Sequence, residues 1–152
     1  MQASWLNPKT DIPIVRTKRH ADYPFFSLII YDVDAPFPYS RTTSPHLHLM
    51  KANVACTATA GASLWTLGLI HGDTVVPYES PDPLKHIPHC YMIEVVGHQR
   101  PIDPVVERDV VSKSGRTCYD LKAFRERNHL ASVAKGYFIY NGHSNAVKTN
   151  GR

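Results

Sequence analysis

The sequence predicts a mainly β protein: a single domain over residues 1–152 with short strands and one short C-terminal helix. A length of 152 residues is that of about one ordinary domain, and 43% hydrophobic residues are enough for one core. The 12 prolines exceed the usual share of about 5% and disfavour long helices. The apolar runs are short and turn-forming segments separate them, which is typical of a mainly β domain.

Several apolar runs have the length and residue types of strands. The first, 23–31 (YPFFSLIIY), is aromatic and β-branched, and the acidic turn 32–36 (DVDAP) ends it. The others are 48–54, 90–96 and 136–141. The run 62–70 is apolar nearly throughout, but its glycine and few β-branched residues leave helix and strand both open. Residues 142–152 are polar and contain glycine, so we expect a loose tail there.

One helix is predicted near the C-terminus. Asp120 can act as its N-cap, because a carboxylate there accepts a hydrogen bond from a backbone N–H of the first turn. Leu121 and Phe124 follow at helical spacing. We therefore expect Arg125 and Arg127 to lie on the outer side of this helix.

The charge and the cysteines limit the class of protein. A formal charge of +4 is compatible with nucleic acid, an anionic membrane or a phosphorylated partner. Two basic clusters occur, Arg16-Lys18-Arg19-His20 and Arg116-Lys122-Arg125-Arg127. Neither belongs to a nucleic-acid-binding motif, so we predict solvated faces, no nucleic-acid partner and only weak peripheral membrane contact. Three cysteines without C-x-x-C spacing, and no secretory signal, predict reduced thiols and a cytoplasmic location.

Acids and histidines are the candidate functional groups. Asp32 and Asp34 share one face of an extended chain, where they can bind a cation, act as acid and base, or cap the turn. His46 and His48 also share a face, and with His86 or His89 they could hold a metal. The carboxylate that usually follows such an H-x-H pair is missing. The common signatures of hydrolases and nucleotide-binding enzymes are absent too.

Four sequence blocks, in one order over about 5–140, resemble the phosphatidylethanolamine-binding protein family. The block 32–36 is similar to the family's D-P-D-A-P, and His48 precedes Asn53 by the family's spacing. The third block resembles the proline-rich loop ending in H-R-Y, and the fourth resembles the ending in G-R, a short helix and an aromatic strand. Their residues are Pro81, Pro83, His89 and Tyr91, then Ser114-Gly115-Arg116 and 136–138. The sequence departs from the family pattern at Val33 for proline, His46 for tryptophan and Cys90 for arginine.

The resemblance implies a central antiparallel β-sheet with a small anion pocket at one end, and a cis Ala35–Pro36 peptide. The ligand-binding residues it implies are Asp32, Asp34, Pro36, His48, Pro81, His89 and Tyr91. An acid that accepts a ring N–H orients an imidazole, whose other nitrogen can then donate to a phosphate oxygen.

The function this implies is that of a non-enzymatic binding protein without a cofactor. It would accept phosphate or a phosphoethanolamine-type headgroup, or a phosphorylated group of a kinase or phosphoprotein partner, and modulate signalling. One alternative is a kinase or protease inhibitor that acts through its surface, with a vestigial pocket. The other is a metal-dependent β-barrel enzyme.

Overall fold

The computed structural model describes residues 2–4, 12–18, 22–58, 65–68, 71–142 and 148–151. Its strands are β1 Gln2–Ser4, β2 Ile14–Thr17, β3 Phe25–Asp32, β4 His46–Val54, β5 Cys56–Ala58, β6 Trp65–Leu67, β7 Asp73–Val76, β8 His89–His98, β9 Ala131–Tyr140 and β10 Lys148–Gly151. Its helices are α1 Pro104–Ser114 and α2 Leu121–Arg127, with a 3-10 turn at Leu84–His86. The fold is mainly β, as predicted.

The strands form a large antiparallel sheet, ordered β10-β9-β8-β3-β4-β7, and a small one, ordered β1-β2-β6-β5. Strand β3 lies in the middle of the large sheet, between β4 and β8. Its apolar run is continuous because both faces are covered, and side chains alternate between them. Leu28 packs in one core with Val15 of the small sheet, whereas Ile29 packs in the other with Phe124 of α2.

Most sequence-predicted elements are confirmed. The runs 23–31, 48–54, 90–96 and 136–141 coincide with β3, β4, β8 and the end of β9. Asp120 caps α2 as expected, because its carboxylate accepts a hydrogen bond from the backbone N–H of Ala123 at 2.8 Å. The described part of 62–70 contains strand β6, and residues 62–64 and 69–70 lie outside the described ranges.

Helix α1 was not predicted, and its valines explain why. Val105, Val106, Val110 and Val111 are β-branched and favour strands when the sequence is read for propensity. The helix ends carry the stronger signals. Asp103 caps the first turn, a proline follows it, and Gly115 ends the helix with φ +77°. Likewise, Lys148–Gly151 pairs with β9 in place of the loose tail expected over 142–152.

The two arginines expected on the outer side of α2 instead pair with buried acids. Arg125 forms an ion pair with Glu94 of β8, whose side chain has no exposed surface. Arg127 makes a two-bond contact with Glu107 of α1, at 3.0 and 2.7 Å. These contacts attach α2 to the sheet and to α1, so the second basic cluster is partly neutralised. In the first cluster Arg16 and Lys18 are exposed, and 19–20 lie outside the described residues. No described helix is long and apolar enough to cross a membrane.

Candidate functional site

A cavity of about 230 Å³ lies at one end of the large sheet. It forms where β3 ends and its antiparallel neighbours begin, since Asp32 pairs with His46 of β4 and with Tyr91 of β8. Ends of neighbouring antiparallel strands meet at one edge, which brings remote sequence segments together. The lining residues are Asp32, Ala35, Pro36, Thr43, His46, His48, Glu79, Ser80, Asp82, Leu84, His89 and Tyr91.

His89 and Asp32 form a buried pair in this lining. The Asp32 Oδ2 atom lies 2.7 Å from His89 Nδ1, and Oδ1 accepts the backbone N–H of Asp34 at 2.7 Å. Both side chains are almost completely buried. The carboxylate accepts the Nδ1 hydrogen and so fixes the ring orientation. Among the described residues His89 Nε2 has no hydrogen-bond partner.

His48 is held in a similar way by a backbone carbonyl. Its Nδ1 lies 2.9 Å from the Glu79 oxygen, and the Glu79 N–H donates to the His48 carbonyl at 2.8 Å. A carbonyl can only accept, so Nδ1 carries the hydrogen. Burial lowers the pKa of His48, although the Glu79 contact acts in the opposite direction. The ring is therefore neutral near pH 7, with Nε2 as an acceptor.

Tyr91 belongs to the cavity lining and carries a hydroxyl group. Its ring is buried and stacks on Phe138, with centroids 4.9 Å apart and the planes 14° from parallel. Burial, followed by the negative charge of Asp32, raises the pKa of Tyr91. The hydroxyl therefore stays protonated at physiological pH and can act as a neutral donor.

The other predicted site residues occupy different positions. Pro36 lines the cavity, and the Ala35–Pro36 peptide is cis, as the resemblance implied. Asp34 and Pro81 are not among the residues that line it. The Asp34 carboxylate accepts the Cys90 N–H at 2.8 Å and forms an ion pair with Arg41 at 2.8 Å. Asp34 therefore fastens the turn to β8.

Sequence reasoning missed two of the three acids of the lining, Glu79 and Asp82. Both belong to the turn-rich stretch before β8, and no motif marked them. The exposed Glu79 carboxylate lies 3.3 Å from His46 Nε2. Their positions before and within the proline-rich loop were the available signal. His46, noted only as a departure and as a metal candidate, also belongs to the lining.

The H-x-H pair lies as its spacing predicted, with the His46 and His48 ring centroids 5.0 Å apart. Within the described ranges, no three His, Cys, Asp or Glu residues are grouped so that they could hold a metal ion. The pair instead belongs to the cavity lining together with Glu79.

Residues 6–141 match the family described as phosphatidylethanolamine-binding protein. The chain belongs to this family. The resemblance carried by the four sequence blocks is thus confirmed. No curated protein has a matching sequence. Among solved structures, the chain is similar to a carboxypeptidase Y inhibitor in complex with its cognate proteinase. The two share 18% identity and a TM-score of 0.64, over 84% of this chain and 69% of the other, and the likeness shows the phosphatidylethanolamine-binding protein fold.

Proposed function

We propose that this protein is a non-enzymatic binding protein whose cavity accepts a phosphate group. The group is carried by a headgroup such as phosphoethanolamine, or by a phosphorylated residue of a protein partner such as a kinase, whose signalling the protein then modulates. Membership of the phosphatidylethanolamine-binding protein family and the histidines of the cavity support this proposal.

The His89 ring is the observation that carries the proposal. Its Nδ1 is held by Asp32 at 2.7 Å, while Nε2 is buried and lacks a partner in the described structure. A buried polar atom without a partner is costly, so a ligand oxygen at this position would be favourable. When the ring is protonated, Nε2–H donates to the oxygen and the Asp32 carboxylate balances the charge.

The polarity of the lining favours a ligand with both signs of charge. The imidazoles of His48 and His89 are buried, whereas Glu79 and Asp82 are exposed. A phosphate contacting the imidazoles would leave an attached ammonium group close to the outer acid Asp82, where Coulomb attraction stabilises it. Phosphoethanolamine has this arrangement, and ethyl phosphate is the matched compound without the ammonium group.

The test is an NMR titration with inorganic phosphate, ethyl phosphate and phosphoethanolamine. We expect chemical-shift changes around the cavity in the wild type, loss of most of them in His48→Ala and His89→Ala, and tighter binding of phosphoethanolamine than of ethyl phosphate. His71→Ala is the control, since His71 is exposed and does not line the cavity. Equal shifts in all four proteins would defeat the proposal.

A second candidate function is inhibition of a protease or kinase through surface contacts. The carboxypeptidase Y inhibitor of similar fold was crystallised with its cognate proteinase. Two apolar side chains are exposed in or between lining segments: Leu84 in the lining is 55% exposed, and Tyr39, in the loop between the lining residues Pro36 and Thr43, is 73% exposed. Exposed apolar side chains beside a cleft are typical of protein-binding surfaces.

Inhibition assays on carboxypeptidases and pull-downs with kinases test this second function. The decisive comparison is between His48→Ala/His89→Ala and Tyr39→Ser/Leu84→Ser. If surface contacts carry inhibition, the first double variant keeps it and the second loses it. The reverse result would assign the partner to the cavity.

A further inference from the structure

Arg116 holds two segments together behind the cavity. Its Nη1 donates to the Leu47 carbonyl at 3.1 Å, and its Nη2 donates to the Pro77 carbonyl at 3.0 Å. Its own carbonyl accepts the Leu47 N–H at 2.9 Å. The first residues of β4 are thereby tied to the segment that carries Glu79. Arg116 itself is not among the residues lining the cavity.

The guanidinium also contacts the Glu79 carboxylate, with 3.2 Å between Nε and Oε2. The other carboxylate oxygen, Oε1, lies 3.3 Å from His46 Nε2. The backbone of the same residue binds His48 through two hydrogen bonds. Arg116 is therefore linked to His46 and His48 through Glu79, which contacts all three residues.

The contact also affects the charge of the cavity. Glu79 lines it, and an uncompensated carboxylate there would repel an anionic ligand. Arg116 is 25% exposed and Glu79 47% exposed, so solvent screens the pair and its contribution to overall stability is small. An anion inside the cavity would lie beside the Glu79 carboxylate, since Glu79 is part of the lining, so loss of the compensating Arg116 charge would weaken its binding.

We infer that Arg116 is a positioning residue of the anion pocket: it neutralises and holds Glu79 and thereby sets the affinity for a tetrahedral anion that it does not touch. This inference rests on the proposed function for its ligand. It gives the arginine of the Ser114-Gly115-Arg116 block a physical role, since the solvated face expected for that cluster would not need these contacts.

A double-mutant cycle tests the inference, with sulfate as the probe because its charge is constant with pH. At about pH 5.5, where most histidines are protonated, we expect Arg116→Met to weaken sulfate binding about tenfold. Glu79→Gln should bind at least as tightly as wild type, and Arg116→Met/Glu79→Gln should recover to within about threefold of it. A double variant as weak as Arg116→Met would overturn the inference.

Arg108→Met is the matched control, because Arg108 also donates to a backbone carbonyl, that of Thr74 at 2.8 Å, but has no recorded contact with Glu79. It should bind sulfate as the wild type does. If Arg116→Met does not fold, Arg116→Lys takes its place, because lysine keeps the charge without the forked contacts. Its sulfate affinity should be lower than that of the wild type, by less than the factor of about ten expected for Arg116→Met. In that case, wild-type sulfate affinity in Arg116→Lys would refute the role.

The ligand-free protein provides an independent readout. Glu79 acts to raise the pKa of His48, so release of Glu79 from Arg116 should raise that pKa, and the added Glu79→Gln change should reverse the rise. NMR titration of His48 measures both effects. If this pattern appears but the wild type binds no sulfate or phosphate, the proposed function fails while the Arg116–Glu79 coupling stands. If the wild type binds and His48 is unaffected by Arg116→Met, the inference fails alone.

Discussion

Replacing Asp32 by asparagine changes one charge while keeping the shape of the side chain. In the native site the carboxylate lies 2.7 Å from His89 Nδ1, and both groups are buried. The asparagine NH₂ can donate to Nδ1 instead, so the ring binds the anion as a neutral donor. A charge-assisted hydrogen bond contributes about 1.5–3 kcal/mol and a neutral one about 0.5–1.5 kcal/mol, a difference of about 1–2 kcal/mol. We therefore expect Asp32→Asn to raise the Kd for phosphate about 5- to 30-fold.

Asp34→Asn is the control for this experiment. Asp34 is also a buried acid that accepts a backbone N–H, but it does not line the cavity. Isothermal titration calorimetry with phosphate should show a change below about threefold in Asp34→Asn. Thermal unfolding of both variants separates loss of affinity from loss of folded protein. Equal weakening in the two variants, or wild-type affinity in Asp32→Asn, would refute the pairing of Asp32 and His89 as the source of anion binding.

Three further changes test the cavity and the structure around it. Burial lowers the pKa of His48, so its neutral ring must take up a proton before Nε2 can donate to an anion. Sulfate affinity measured by calorimetry should therefore rise as the pH falls from about 7.5 to 5.5. The rise should be less steep in His48→Gln. Asn53 has φ +54°, and its side chain hydrogen-bonds both the N–H and the carbonyl of Ile102, each at 2.8 Å. Asn53→Ala should lower the free energy of unfolding by about 2–4 kcal/mol in urea titrations. Asn53→Gly should lower it by less, because glycine adopts a positive φ without strain. Cys90→Ala should leave sulfate affinity within about twofold of wild type, because the Cys90 side chain is not part of the lining.

The sequence predicted the strands better than the helices. The runs of β3 and β8 are buried on both faces, and such continuous apolar and β-branched stretches are recognisable without tertiary information. Helix α1 lies against β7 with valines, and Glu107 is its one fully buried side chain. The buried Glu107 carboxylate is stabilised by hydrogen bonds from Arg127 and Asn128, at the end of α2. No local pattern predicts such a contact, so the apolar periodicity expected of a helix is missing.

For the site, residue type and motif order were enough to find both histidines and Asp32, but not Glu79, the partner of His48. Asp32, His48 and His89 were identified from the blocks, and the strand register brings them to one edge of the sheet. Glu79 contributes mainly through its backbone and through a contact with Arg116, and neither leaves a signature in the sequence. Contacts made by the main chain depend on how a loop folds back, so the side-chain type there carries little information.

Two of the three departures from the family pattern, Val33 and Cys90, lie outside the cavity lining. Cys90 stands where the family has arginine, between His89 and Tyr91, and alternation along β8 directs its side chain away from theirs. The main chain of Cys90 makes the contacts with the acidic turn. Its N–H donates to the Asp34 carboxylate at 2.8 Å, and its carbonyl accepts the Val33 N–H at 3.1 Å. Val33 has an N–H to donate, which the family's proline lacks. The two departures are therefore joined by one hydrogen bond, and it fastens the acidic turn to β8 while leaving the buried Asp32–His89 pair unchanged.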